Sequence, residues 1–296
     1  MSPEHRRPAL PLAAAVVAIV AWGFGPLGVR AIDAPASTIV MWRMLLAMPI
    51  AVAVAYLTGG RLSVALMRRS FTTGVCFAIS IVSGFLSFQR TSIASATLIP
   101  ALQPALILLV ATRLFGERRR RSELAWAALA FVGVAVVVLG ASGGHDTVVG
   151  DVLAVVNLLV FTAYFLLAKQ ARSTDVHSWS FLAAVFAWTS LLVVPWALVV
   201  NGGVTVVHGV DWLIVVGIVI GPGMIGHGFM TWAHHYVDVT VTSLLTLANP
   251  VVSIVGAWWL FSQGLTGGQM AGVVVVLVAT AAIVLGQRAA RPVASR

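Results

Sequence analysis

The chain has 296 residues, of which 60% are hydrophobic and only 9% charged, and it carries a formal net charge of +9. That is too little polar sequence to cover a water-soluble protein of this size. The single cysteine, Cys76, excludes an intramolecular disulfide and a thiolate metal site.

Apolar runs of roughly 17–25 residues cross a bilayer as helices. Ten are legible, at about 11–29, 37–57, 70–88, 92–114, 122–140, 151–169, 179–200, 211–233, 238–260 and 267–286. The first lacks a convincing cleavage site and is followed at once by further spans, so it reads as a retained helix rather than a signal peptide. It carries Trp22 with Gly23 and Gly25 beside it, which makes Trp22 a candidate wall residue for a buried path. The second carries Arg43 about a third of the way in. A charge there costs on the order of 2.5–3.5 kcal/mol on insertion scales. Arg43 therefore either snorkels or pairs structurally, or it meets a substrate carboxylate.

The third span offers Phe77, Ser80, Ser83 and Phe85, and it holds Cys76, whose plain reading is a small apolar filler. The fourth contains Gln103-Pro104. Ala141 to Asp146 is short, polar and Gly-containing, as a linker between halves should be. The sixth span carries Tyr164, a second candidate for the path. The eighth is the most broken: Gly221-Pro222-Gly223 precedes Gly226-His227-Gly228, with Trp232 beyond. Proline interrupts the hydrogen-bond ladder and glycine admits close approach. His227 reads either as a buried histidine bonded to a neighbouring helix or as a cavity residue with a proton-linked role. His234 and His235 have no carboxylate or thiolate at ligand spacing, so no metal site is expected. The ninth span carries Asn249-Pro250, matching Gln103-Pro104. Each proline reads as a mid-helix kink. The amide beside it either refills the freed hydrogen bonding or faces a ligand. Pro104, Pro222, Pro250, Gly221 and Gly223 are the expected hinge points.

The match between the fourth and ninth spans is part of a longer repeat. At an offset of 146, Pro104 meets Pro250, Leu98 meets Leu244, Leu114-Phe115 meets Leu260-Phe261, and Leu139-Gly140 meets Leu285-Gly286, without a gap. Five spans per half is an odd number, so the second half enters the membrane from the opposite side. Two such inverted repeats around a midplane site are a common transporter plan. The expected division is residues 1–145 and 146–296. The basic residues alternate accordingly. With the N-terminus inside, fifteen Lys and Arg fall in cytoplasmic segments, while only Arg30 and Arg90 fall outside. This is a positive-inside pattern. It assigns the basic charge to orientation and anionic lipid rather than to nucleic acid, and it places both termini in the cytoplasm.

Trp22-Gly23, Arg43, the run from Thr91-Ser92 through Pro104 to Leu114-Phe115-Gly116-Glu117, and the second copy from Tyr236 through Asn249-Pro250 to Leu260-Phe261-Ser262-Gln263 together resemble the EamA repeat of the drug/metabolite transporter superfamily. The resemblance covers nearly the whole chain. It departs at one point, where Glu117 of the first copy is Gln263 in the second. It implies an all-α polytopic membrane protein of ten helices, akin to bacterial exporters of aromatic amino acids and of threonine or homoserine.

The residues themselves favour the same class. No Asp or Glu falls deep in any expected span, and carboxylates are the usual intramembrane proton carriers. Coupling by a buried carboxylate is therefore not expected; His227 is the deep group that could titrate, and downhill export is an equal alternative. A largely neutral cavity with aromatics, amides, hydroxyls and one arginine suits a zwitterion with an apolar body. Efflux of amphipathic cations or drugs is the competing reading, and transport of another small solute a third. No H-E-x-x-H, G-x-S-x-G or paired intramembrane carboxylates suggest an enzyme. The expectation is a bacterial inner-membrane exporter, without cofactor, acting as a monomer by alternating access. Its expected path lies along the first, third, fourth, sixth, eighth and ninth spans, touching Trp22, Arg43, Phe77, Ser80, Ser83, Gln103, Tyr164, His227, Trp232 and Asn249.

Overall fold

The computed structural model describes residues 9–106, 121–140, 148–172, 176–236 and 245–290, and all regular secondary structure in them is helical. Helices satisfy every backbone polar group within their own segment, which lipid demands. In chain order, α1 is Ala9–Ala31, α2 Ala36–Leu57, α3 Val64–Arg90 and α4 Ile93–Leu98, which continues through a 3-10 turn at Pro100–Leu102. Then come α5 (Arg121–Leu139), α6 (Val148–Arg172) and α7 (Ser178–Asn201). α8 runs from Asp211–Ile218 through a π-helical stretch, Val219–Gly226, into His227–Tyr236. α9 is Ala248–Phe261 and α10 Gly267–Ala290.

Six helical stretches are long and apolar enough to cross a bilayer: Leu10–Ala31, Ala36–Leu57, Val64–Arg90, Val148–Ala168, Ser178–Asn201 and Asp211–Ala233. Four shorter apolar helices, Ile93–Leu106, Leu124–Leu139, Ala248–Phe261 and Gly267–Ala282, stand at the other expected positions. The expected fourth and ninth spans run into residues 107–120 and 237–244, and the expected linker into 141–147, all outside the described residues.

Local chemistry sets the ends. Ser63 accepts the backbone N–H of Leu66 at 3.1 Å, so α3 starts at Val64, ahead of the expected 70, and carries Arg68 and Arg69 exposed on its first turns. Ser92 caps α4 by accepting from the Ser95 N–H at 3.0 Å. Gly202 closes α7 in the left-handed region, at φ 68°.

The backbone breaks lie just ahead of the matched prolines. Pro250 lies in the first turn of α9, just after a turn at Leu247 that separates α9 from helical backbone at 245–246. The break before Gln103 is the 3-10 turn at Pro100–Leu102, while Pro104 sits in helical backbone just after it.

Packing carries the symmetry. α2 lies on α7, and α5 on α10. α3 on α6 is mirrored by α8 on α1, and α4 on α6 by α9 on α1. Exchanging each first-half helix for its second-half counterpart maps these pairs onto one another. Counterparts run in opposite directions. Ser37 at the start of α2 bonds Asn201 at the end of α7, at 2.5 Å. Gly60, just past α2, lies against His177 and Ser180 at the start of α7. Arg30 at the end of α1 donates to the Phe88 carbonyl at 2.8 Å, near Thr91, whose hydroxyl bonds Asp151 at the start of α6 at 2.8 Å. One apolar core joins α2, α3, α7 and α8; a second joins α4, α5, α6, α9 and α10.

Candidate functional site

A cavity of about 170 Å³ draws its wall from α1, α2, α3, the α4 region, α6, α8 and the residues around the start of α9. These include all six of the expected spans, together with α2, which enters through Arg43.

α3 contributes most. Phe77, Ser80, Ile81, Gly84, Phe85 and Phe88 recur at three- and four-residue spacing, which places them on one helical face. Opposite Gly84 lies the Asn157 amide of α6, which an added methyl would meet at 2.9 Å. Ser80 donates to Asn157 Oδ1 at 2.7 Å, tying α3 to α6. Ser83, three residues on, is also buried but turns to its own helix, donating to the Ile79 carbonyl at 2.8 Å. It does not reach the cavity, because a hydroxyl one turn from two backbone carbonyls is satisfied there without a partner helix.

α8 supplies the centre. The Trp22 indole N–H reaches across from α1 to the Pro222 carbonyl, at 3.2 Å. Pro222 sits within the π-helical stretch, where widening of the turn redirects backbone carbonyls. Gly226 lies directly against the Trp22 ring and Gly228 against Trp179, so each glycine marks a close helix approach. Between them His227 is surrounded by rings: Trp22 with centroids 5.0 Å away, Phe77 at 4.9 Å and Phe186 at 6.1 Å. Tyr164 Oη lies 3.5 Å from His227 Nδ1. Tyr164 therefore stands behind the wall, supporting His227 and Phe77, while Phe161, one turn earlier on α6, faces the cavity. Trp232 packs on Tyr236, 5.1 Å between centroids, and does not line the cavity.

The remaining polar groups arrive from α2, the α4 region and α9. Arg43 is 4% exposed, lines the cavity, and has its guanidinium carbon 5.3 Å from the Phe85 ring centroid. Its Nε is buried without a hydrogen-bond partner, and so is Nε2 of Gln103, which the 3-10 turn delivers to the same cavity. Asn249 lines the cavity and accepts from Ser253 at 3.4 Å, while Ser253 also donates to the Gly23 carbonyl at 2.8 Å. Pro222 and Pro250 line the cavity; Pro104, Gly221 and Gly223 do not. No Asp or Glu lies in the wall, so Arg43 is its one formally charged member among the described residues. No cluster of three or more metal-binding side chains occurs among the described residues.

Sequence reasoning passed over Asn157, Phe161, Phe88, Thr97, Pro100 and Thr246, all of which line the cavity. Asn157 left a signal: it is a lone amide within an otherwise apolar span.

The sequence pattern of the EamA-like transporter family matches twice, over residues 9–139 and 148–285. The chain belongs to the EamA-like transporter family. Its fold is also that of a solved structure described only as a crystal structure of a protein, with TM-score 0.68, 21% identity and coverage of 96% of this chain and 99% of the other. No curated protein matches. Membership of the EamA-like family, with several helices long enough to span a bilayer, makes the chain a multi-pass membrane protein of a family that transports small solutes.

Proposed function

We propose that the protein exports amino acids, neutral or aromatic, or closely related small metabolites across a bacterial inner membrane. In this reading ten helices form two oppositely inserted five-helix units, residues 1–145 and 146–296, with both termini cytoplasmic, and the monomer works by alternating access. The cavity is the solute site, and Trp22, Arg43, Phe77, Ser80, Gln103, His227 and Asn249 form its contact surface. The π-helical stretch with Gly221, Pro222 and Gly223 is the flexing element, and Tyr164 acts through His227.

One observation carries the reading. A mostly apolar wall with five aromatic rings encloses a few convergent polar groups, with a guanidinium among them and no carboxylate among the described residues. Such a site suits an apolar body with a polar, carboxylate-bearing head. It is poorly suited to organic cations, which an acidic group normally compensates. The test is uptake of a panel of labelled amino acids into liposomes holding the purified protein, with and without a pH gradient. Uptake of neutral or aromatic members above protein-free vesicles is expected. If no amino acid is transported while organic cations are, the reading fails.

A further inference from the structure

The polar groups of the cavity are unevenly used. Three of its acceptors are engaged: Asn157 Oδ1 takes the Ser80 hydroxyl, the Pro222 carbonyl takes the Trp22 N–H, and Asn249 Oδ1 takes the Ser253 hydroxyl. Its donors are not. Arg43 makes no hydrogen bond to any described residue, and both Arg43 Nε and Gln103 Nε2 are buried unsatisfied. A buried guanidinium with only an aromatic face beside it carries a large desolvation cost that the Phe85 ring offsets in part. Groups in this state are completed by an anion, and a guanidinium matches a carboxylate bidentately. A substrate ammonium would find no acidic residue among the described residues of the wall.

Building on the cavity as solute site, we infer that the protein recognises its substrate by the carboxylate, held by Arg43 and Gln103, and does not read the ammonium group. The substrate class widens accordingly, to apolar monocarboxylates with or without an α-amino group. The aromatic wall of Trp22, Phe77, Phe85 and Phe161 receives the body.

Three matched probes separate the groups: phenylalanine, 3-phenylpropionate, which lacks the ammonium, and phenethylamine, which lacks the carboxylate. Binding is measured by calorimetry on the purified full-length protein, and transport in liposomes. The two carboxylates are expected to bind within a few-fold of each other and the amine not to bind. Arg43→Met is expected to weaken both carboxylates roughly 30-fold or more, the scale of removing one partner of a desolvated charge pair. Arg43→Lys should recover part of the loss, and Gln103→Leu should cost both carboxylates equally. Thermal melting of each variant identifies misfolding, and the wild-type probe series stands independently of any variant. Binding of the amine, or of phenylalanine without 3-phenylpropionate, overturns the inference, as does failure of both carboxylates to bind. Carboxylates that bind but are not carried leave the inference standing and refute amino-acid export.

Discussion

Gly226 faces the Trp22 indole so closely that any side chain there meets the ring nitrogen and its neighbouring carbon. Gly226→Ala should push Trp22 off the Pro222 carbonyl. Overpacking of this kind costs about 1–3 kcal/mol, so a lower melting temperature and impaired transport are expected together. Gly217, in the Asp211–Ile218 part of α8, is the control: nothing lies within 4 Å of an added methyl. Gly217→Ala should hold or slightly raise the melting temperature, since alanine is worth about 0.5–1 kcal/mol over glycine inside a helix. A Gly226→Ala protein as stable as wild type would remove the close packing from the account. At this scale the sequence revealed what was chemically out of place in lipid: Arg43, His227, Asn249 and Trp22. It did not distinguish Ser80 from Ser83, or Phe161 from Tyr164. Residues three apart on a helix differ by only about 60° around its axis, and which of them faces a cavity depends on the neighbouring helix.

α8 departs from α-helical geometry over Val219–Gly226, around Pro222. The glycine-proline-glycine run was legible as a broken helix. Its π-helical form was not, because the Trp22 N–H that takes the Pro222 carbonyl comes from a helix 200 residues away. The fourth span behaves likewise. The repeat drew attention to Pro104, yet the tightened turn is one turn earlier, at Pro100–Leu102, because matching the two copies selects what they share rather than where the backbone yields. Proline within a helix costs about 3 kcal/mol, which neighbouring helices offset where they re-satisfy the freed backbone groups. Pro222→Ala restores a backbone N–H and should raise the melting temperature while slowing transport. A variant that is more stable and transports at the wild-type rate would deny α8 its role as the flexing element.

The whole molecule follows from the repeat. The offset identified which helices are counterparts, and the structure supplies how they pack: α2 on α7, α5 on α10, and α1 taking toward α8 and α9 the place that α6 takes toward α3 and α4. The cavity falls where these pairs meet, and its wall comes from both halves. The direct measurement is side-selective thiol labelling of Thr58→Cys and Val204→Cys, introduced singly into a Cys76→Ala background in sealed, oriented vesicles. Thr58 caps the end of α2 beside the start of α7, and Val204 lies just beyond the end of α7. The account predicts that an impermeant reagent reaches Thr58→Cys from the cytoplasmic side and Val204→Cys from the external side. Labelling of both from one side would contradict two oppositely inserted halves and leave the cavity without a path through the membrane.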